Sequence, residues 1–486
     1  MNIPKTQRAV QLVGPEKLAL NETKPVFEPG PHQILCRVEV CGLCFSDLKL
    51  LKQFSGHARK SGIASGINQQ LLPEMPNYVP GEKSTVPGHE VVVRVAKVGS
   101  QVTKYKAGER YLIQADYRWL TTQNSAAAFG YNFEGGLQEY TLLDERVIHA
   151  PDGESTLIPV PEEFSASALA LCEPWACVEE AYVEKQRRTL REGDVVYHGN
   201  DPAELERLFT TVPTNGLMVI CQHGKKFGRP VITPVGRTHY GGIRIVGTTG
   251  DKVEDALASI PADAEMRPND KVNIIGAAGP MGTMHVIRDL CQGVPGIAVH
   301  AGDLSDDRLA MLKKLAEPLA KKNKLTLHPY NPKTNPPTDK FNYIVLMAPV
   351  PALVVQAVKD SAPKAIINIF AGIPADKTAE VDLDMYIEKQ CYFVGTSGST
   401  TEDMKTVLRK VVTRQLDTNL SVAAISGLEG AIDGIHAVEK NLMPGKILVY
   451  PSMKGMKLTA LPDLTKDIPL TDGHWTIEAE KALLKK

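Results

Sequence analysis

The sequence predicts an α/β protein. An all-β, barrel-like unit comes first, a doubly wound parallel sheet follows, and a partial repeat of that sheet's second half is inserted between them. Three observations carry this reading. Short alternating strands broken by Gly and Pro fill Gln7 to Arg146, as in Ile34 to Val40 and Val91 to Val98, and long helical periodicity is missing there. The stretch Lys271 to Asp303 reads strand, glycine turn, helix, strand. Blocks ahead of that stretch recur after it at nearly constant spacing.

The chain has 486 residues, enough for two or three domains, and is 43% hydrophobic and 23% charged, as globular proteins are. A net charge of -1 gives no basic field for nucleic acid or an anionic membrane. MNIPKTQRAV carries no apolar signal core, and no apolar run approaches spanning length. The eight cysteines are unevenly spaced, with Cys36, Cys41 and Cys44 close together. That pattern suits a reducing compartment and a metal better than a disulfide framework. A cytoplasmic protein that binds a small molecule, not a membrane or nucleic acid, is expected.

Within the first 150 residues two stretches stand out, Val40-Cys-Gly-Leu-Cys-Phe-Ser-Asp47 and Pro87-Gly-His-Glu90; a third, Leu171-Cys-Glu-Pro-Trp175, opens the next helix. Thiolate, imidazole and carboxylate together suit zinc, and three protein ligands leave a fourth position for substrate. Each also has an ordinary structural reading. Cys44 could be a small buried hydrophobe, His89 a hydrogen-bonded loop residue, and Glu173 a helix N-terminal carboxylate.

Between the Glu173 helix and Lys271 lies an insert of roughly 80 residues that resembles a later part of the same chain. Asp194-Val-Val-Tyr-His parallels Tyr343-Ile-Val-Leu-Met, each followed by a proline, Pro202 and Pro351. Asn215-Gly-Leu-Met-Val-Ile220 parallels Lys364-Ala-Ile-Ile-Asn-Ile369. Ile245-Val-Gly-Thr-Thr-Gly-Asp-Lys-Val-Glu-Asp255 parallels Phe393-Val-Gly-Thr-Ser-Gly-Ser-Thr-Thr-Glu-Asp403. The second half of a nucleotide-binding fold is therefore expected twice. The extra copy lacks a glycine-rich turn, since His198-Gly-Asn-Asp-Pro202 is short and acidic. It should bind no cofactor, and should instead pack on the main sheet or form a subunit contact.

The complete copy begins at Val272 to Ile275 and enters the turn Gly276, Gly279, Gly282. Met281, Met284, Ile287 and Leu290 face one side of the helix that follows, and Ile297 to Val299 leads to Asp303. This is the Rossmann dinucleotide-binding order, with a carboxylate about 20 residues past the glycines. The glycines let backbone approach a pyrophosphate at the helix N-terminus. Asp303 would accept bonds from the ribose hydroxyls and repel a 2′-phosphate, so NAD is expected over NADP. Beyond it, Arg308 to Lys322 reads as a helix, Asn331 to Lys340 as a loop, and Tyr343 to Met347, Ala365 to Ala371 and Cys391 to Val394 as strands; Thr401 to Leu416 reads as a helix.

GLCFSD, PGHEVVVRVAKVGSQVTKYKAGER, CEPWACVEEA and GAAGPMG together resemble the zinc-dependent medium-chain alcohol and polyol dehydrogenases, in that family's order and over most of the chain. The resemblance implies a GroES-like β-barrel catalytic domain over 1–185, the inserted half-Rossmann repeat over 186–262 and an NAD-binding Rossmann domain over 263–420. Residues 421–486 would return to the catalytic domain, with Gly445-Lys-Ile-Leu-Val-Tyr450 as its closing strand. It makes Cys44, His89 and Glu173 catalytic zinc ligands, with Glu90 an alternative ligand. Ser46 would hand on the substrate proton, and Asp47 would orient a ligand. Gly276, Gly279, Pro280, Met281, Gly282 and Asp303 would hold the dinucleotide, with Ala348, Phe370 and Gly395 on the nicotinamide side.

Four departures qualify this. Tyr111 to Tyr140 holds no cysteine where the family places four for a structural zinc, so one zinc per chain is expected. Lys49 stands where many members carry a histidine on the proton path, and Ala277 replaces the usual first glycine. The segment Lys52 to Lys83 is long and rich in Gly, Ser and Pro, which reads as a substrate-side loop or a disordered insertion. Phe370-Ala-Gly372, the Val394 to Asp403 stretch and His474-Trp475 look most like the L-sorbose-1-phosphate reductases and their relatives. That implies a polyol, sugar or sugar phosphate as substrate, with Lys52, Arg59, Lys60 and Arg118 available to a phosphate. The expected reaction is hydride transfer between NAD(H) and a secondary alcohol or ketone, in a homo-oligomer. An NAD-retaining lyase or epimerase, or a non-catalytic scaffold, are the alternatives.

Overall fold

The computed structural model describes residues 3–396, 398–464 and 468–485, so Ser397 of the Val394 to Asp403 match lies outside the described residues. The chain forms two compact units, Met1–Trp175 with Thr400–Lys486, and Ala176–Ser399. Among the described residues no helix is long and apolar enough to cross a membrane.

The first unit is built around the strand Gln33–Gly42, QILCRVEVCG, whose residues are nearly all buried. It pairs antiparallel with Glu90–Val98 along its length and with Tyr140–Asp144 at its start. Its end is paired with Lys446–Val449, through Leu448 opposite Gly42 and Val449 opposite Cys41. The runs VVV and ILV fill the core because these β-branched and leucyl side chains fit a half-buried pleat. The segment Lys52 to Lys83 folds as three short 3-10 turns that bury Phe54, Lys60, Ile63, Leu72, Met75 and Val79. It is an ordered cover on the barrel core, because its apolar residues recur often enough to pack.

The second unit holds a six-stranded parallel sheet. The strand order is Thr326–Tyr330, Ala298–Gly302, Lys271–Ile275, Phe341–Leu346, Ser361–Asn368, Tyr392–Val394. In chain order this is 3-2-1-4-5-6, and the order reverses beside Lys271–Ile275, where a doubly wound sheet binds its ligand. Helices follow from local chemistry. Asp306–Asn323 starts where the Ser305 hydroxyl accepts from Arg308 N, carries Asp306 and Asp307 in its first turn and Lys321 and Lys322 in its last, and stops at left-handed Lys324. Thr401–Val412 has a Thr400/Asp403 capping box and ends at Thr413, short of the expected Leu416.

The inserted stretch forms a separate three-stranded parallel sheet, Val195–His198, Leu217–Cys221, Arg244–Thr248. It shares one hydrophobic core with the second half of the main sheet, where Ile245, Ile220 and Phe227 join Ile367, Tyr386 and Phe393. Of the two expectations for this repeat, packing on the main sheet is what the structure shows.

Candidate functional site

Strand register assembles the first site. Because Gly42 lies opposite Glu90 and Leu448, the residues just past Gly42, just before Glu90 and just before Leu448 converge. They are Cys44, His89 and Lys446. A Cβ at position 42 would lie 2.1 Å from Glu90 Oε2, so glycine there leaves the Glu90 carboxylate its place. One ligand atom from each of Cys44, His89 and Glu90 lies within 4.8 Å of the others. Cys44 is half-buried at the N-terminus of the helix Phe45–Gln53, whereas His89 and Glu90 are buried.

Supporting residues fix the orientation of each. Asp47 Oδ1 stands 3.3 Å from His89 Nδ1, and Asp47 Oδ2 accepts from Cys44 N at 3.0 Å. One carboxylate thus sets the imidazole and the cysteine backbone together. Burial opposes charge on His89, but Asp47, Tyr131 and Cys44 together outweigh it and hold the imidazole pKa well above its usual value. The other ring nitrogen, Nε2, lies 3.0 Å from the Ser46 hydroxyl. Glu90 Oε1 pairs with Lys446 Nζ, which also donates to Leu43 O at 2.6 Å, while Glu90 Oε2 is buried without a partner. Burial opposes charge on Lys446 too, and Glu90, Cys44 and Glu173 together raise its pKa.

Glu173 lies in the first turn of the helix Cys172–Val183 and is buried, but it is not one of the three residues whose ligand atoms cluster. Burial lifts its carboxyl to about 7, with His89 opposing the shift and Glu90 adding to it. Tyr131 packs on His89 with ring centroids 5.9 Å apart and on His57 at 5.1 Å. Burial raises the Tyr131 phenol, against the pull of His89, Arg59 and a hydrogen bond with Ser46. His57 is pushed down to about 4 by burial, then by Arg59 and Lys49, so it is neutral near pH 7.

The four expected phosphate partners separate. Arg59 holds Asp116 at 2.5 Å and lies 5.3 Å over the Tyr131 ring. Lys60 is fully buried and donates to Lys83 O at 2.8 Å and to Val79 O, which makes it a structural peg. Lys52 pairs with Glu439 at 2.8 Å, and Arg118 is exposed.

The second site is the glycine turn. Gly276 takes φ +87, which supplies the left-handed residue although Ala277 occupies the usual glycine place. A Cβ on Gly282 would lie 2.2 Å from Gly276 O, so helix and strand pack backbone to backbone there. Gly279 is the N-cap of Pro280–Cys291, with Pro280 at its first turn and Met281 half-buried beside it. Asp303 follows the strand Ala298–Gly302; its Oδ2 accepts from Ala278 N at 3.2 Å, which ties it to the turn. Ala348 lies just past the Phe341–Leu346 strand, and its N would be 3.8 Å from a Cβ on Gly276. Phe370 stands edge-on to His285 at 4.5 Å, and Gly395 is buried after Tyr392–Val394.

Sequence reasoning missed Lys446, Tyr131 and His57. A lysine inside the apolar run KILV signals a buried partner for the first, but nothing local marks the other two.

Comparison with known proteins fits this arrangement. The family described as alcohol dehydrogenase GroES-like domain matches residues 30–152. The uncharacterized protein YggP of Escherichia coli (strain K12) is 25% identical over 452 residues, 87% of each chain. L-sorbose 1-phosphate reductase of Klebsiella pneumoniae is 24% identical over 496 aligned residues, covering 99% of this chain and 97% of that one. The crystal structure of 2R,3R-butanediol dehydrogenase from Bacillus subtilis superposes with a TM-score of 0.59 at 16% identity, over 92% of this chain and all of that one, which shows a shared fold. The chain thus contains an alcohol dehydrogenase GroES-like domain over residues 30–152, is similar over nearly its whole length to L-sorbose 1-phosphate reductase, and shares the fold of 2R,3R-butanediol dehydrogenase.

Proposed function

We propose that this chain is a zinc- and NAD-dependent oxidoreductase that moves hydride between the nicotinamide and a secondary alcohol or ketone of a polyol, sugar or sugar phosphate. The observation that carries the reading is the convergence of Cys44, His89 and Glu90 ligand atoms within 4.8 Å. Thiolate, imidazole and carboxylate are a donor set suited to zinc, and the unpartnered buried Glu90 Oε2 is an oxygen awaiting a cation. Bound there, zinc would supply Lewis acidity that polarises a substrate oxygen and favours its deprotonated form. NAD would supply the hydride acceptor.

The remaining work falls to the chain. Asp47 Oδ1 faces His89 Nδ1, which would leave Nε2 to hold the cation. Lys446 pairs with Glu90 and holds its carboxylate in place, and Glu173 stands as the alternative third carboxylate. With Nε2 given to the cation, Ser46 would keep its hydrogen bond with Tyr131 and pass the substrate hydroxyl proton outward, toward Tyr131 and neutral His57. This supplies a path that Lys49 does not. In the second unit, Gly276, Gly279, Pro280, Met281 and Gly282 would cradle the pyrophosphate, Asp303 the adenosine ribose, and Ala348, Phe370 and Gly395 the nicotinamide. The sugar-phosphate form of the proposal draws on the reductase relative and on Arg59 beside Tyr131.

The test is a panel of polyols, sugars and their phosphates assayed for NAD reduction at 340 nm, before and after chelation of metal. Oxidation of at least one secondary alcohol, lost on chelation and restored by zinc, is expected. Substrate conversion with no net absorbance change would replace this reading with a lyase or epimerase that retains its NAD.

A further inference from the structure

The two copies of the repeated half-fold match in pairing as well as in sequence. Val195 pairs with Met218 and Met218 with Ile245; in the later copy Ile344 pairs with Ile367 and Ile367 with Phe393. Each of these positions is the sequence counterpart of the other, so the two strand triplets share one register. What matters is how the copies meet.

The short strand Val231–Thr233 pairs antiparallel with Ala379–Val381, and these two strands occupy the same place in their own copies. Ile232 lies opposite Glu380, its own counterpart, while Val231 meets Val381 and Thr233 meets Ala379 in reciprocal fashion. The same exchange recurs elsewhere. A Cβ on Gly247 would lie 2.7 Å from the Ile387 side chain, and a Cβ on Gly395 would lie 3.2 Å from His239 Cα. Gly395 is the counterpart of Gly247, and His239 that of Ile387. Contacts in which i touches j′ and j touches i′ define a two-fold, self-complementary interface. The open edges are closed by it as well. The Tyr386 hydroxyl accepts from Phe393 N at 2.9 Å and donates to Ile245 O at 2.8 Å, bridging the last strand of one sheet to the last strand of the other.

We infer that residues 195–255 stand in for a second copy of this chain, completing within one polypeptide a two-fold edge contact that residues 343–403 would otherwise make with another molecule. The surface is self-complementary, the partner it fits is itself, and the insert already occupies it. The expected homo-oligomer therefore does not form through this edge.

The ends of the insert meet, because Gln186 N donates to Ala262 O at 2.9 Å, so residues 187–261 can be excised and the chain rejoined. Sedimentation velocity on intact and excised proteins should show the number of chains per particle doubling on excision. A folded excised variant with the stoichiometry of the intact protein would overturn the inference. A second measurement decides if the excised form does not fold. In Ile232→Cys/Glu380→Cys of the full chain, directly opposed positions should oxidise to a disulfide within one chain, with migration at single-chain mass and two fewer thiols on titration. Chain-to-chain cross-linked dimers, or no disulfide, would overturn it.

Discussion

Replacing Lys446 by methionine tests how the site is held together. The Lys446 side chain is 6% exposed and that of Glu90 is fully buried, so solvent screens their attraction little. Lys446→Met keeps the stem but removes the ammonium, leaving Glu90 with one oxygen newly unpaired beside one that already lacks a partner. Breaking a buried pair by removing one member costs about 3–5 kcal/mol, because the remaining charge stays buried. Glu90→Gln strands Lys446 in the same way. The double variant removes both charges, so its cost should fall below the sum of the singles by about 2 kcal/mol or more. The assay is urea unfolding of chelator-treated protein followed by tryptophan fluorescence. Trp119, Trp175 and Trp475 all lie in the first unit, so the signal reports the part that contains the pair. At an m-value of about 2 kcal/mol per M, Lys446→Met should lower the midpoint by about 2 M. A shift under about 0.3 M, or singles that simply add in the double variant, would refute the reasoning.

Three further outcomes follow. Ser46→Ala should lower kcat about 100-fold or more with zinc content unchanged, since a positioned proton relay contributes on that order; a change within twofold would remove Ser46 from the proton path. Asp303→Ala should raise KM for NAD about 10- to 100-fold, the worth of hydrogen bonds to a charged group, and should move preference toward NADP; equal losses with both cofactors would contradict its placement at the ribose. His285 is pushed down to about 3, by burial and then by Arg288, so the folded chain keeps it neutral while the unfolded chain protonates it below pH 6.5. Its contribution to stability is therefore lost as pH falls, by about 1.4 kcal/mol per unit between 6.5 and 3. The stability deficit of His285→Gln relative to the parent should shrink by about 2 kcal/mol between pH 6.5 and pH 5, read by urea unfolding with circular dichroism, and a constant deficit would contradict this.

The sequence made some of this legible because local chemistry dictated it. Gly276 and Gly282 answer backbone demands that only glycine meets, and Asp303 sits where a strand must end. The repeat was visible because VGT-x-G marks the end of its last strand in both copies. Its mode of packing was not, because two-fold reciprocity between Gly247 and Gly395 exists only in three dimensions. The same holds for Lys446, more than 350 residues from Glu90 in the chain and joined to it through strand pairing alone. Lys52 to Lys83 read as loop or disorder because its Gly, Ser and Pro content hides apolar residues at irregular spacing, and 3-10 turns bury them without a period to detect. Among basic residues, composition could not separate Arg59, beside Tyr131, from Lys60, spent on backbone carbonyls.

Every step of the proposed chemistry depends on a cation at Cys44, His89 and Glu90. The direct measurement is zinc per chain by inductively coupled plasma mass spectrometry on the purified protein and on Cys44→Ser. The account predicts one zinc per chain in the parent and less than a tenth of that in the variant. A parent that holds no metal at full zinc supply, or a Cys44→Ser protein that keeps its zinc, would contradict it.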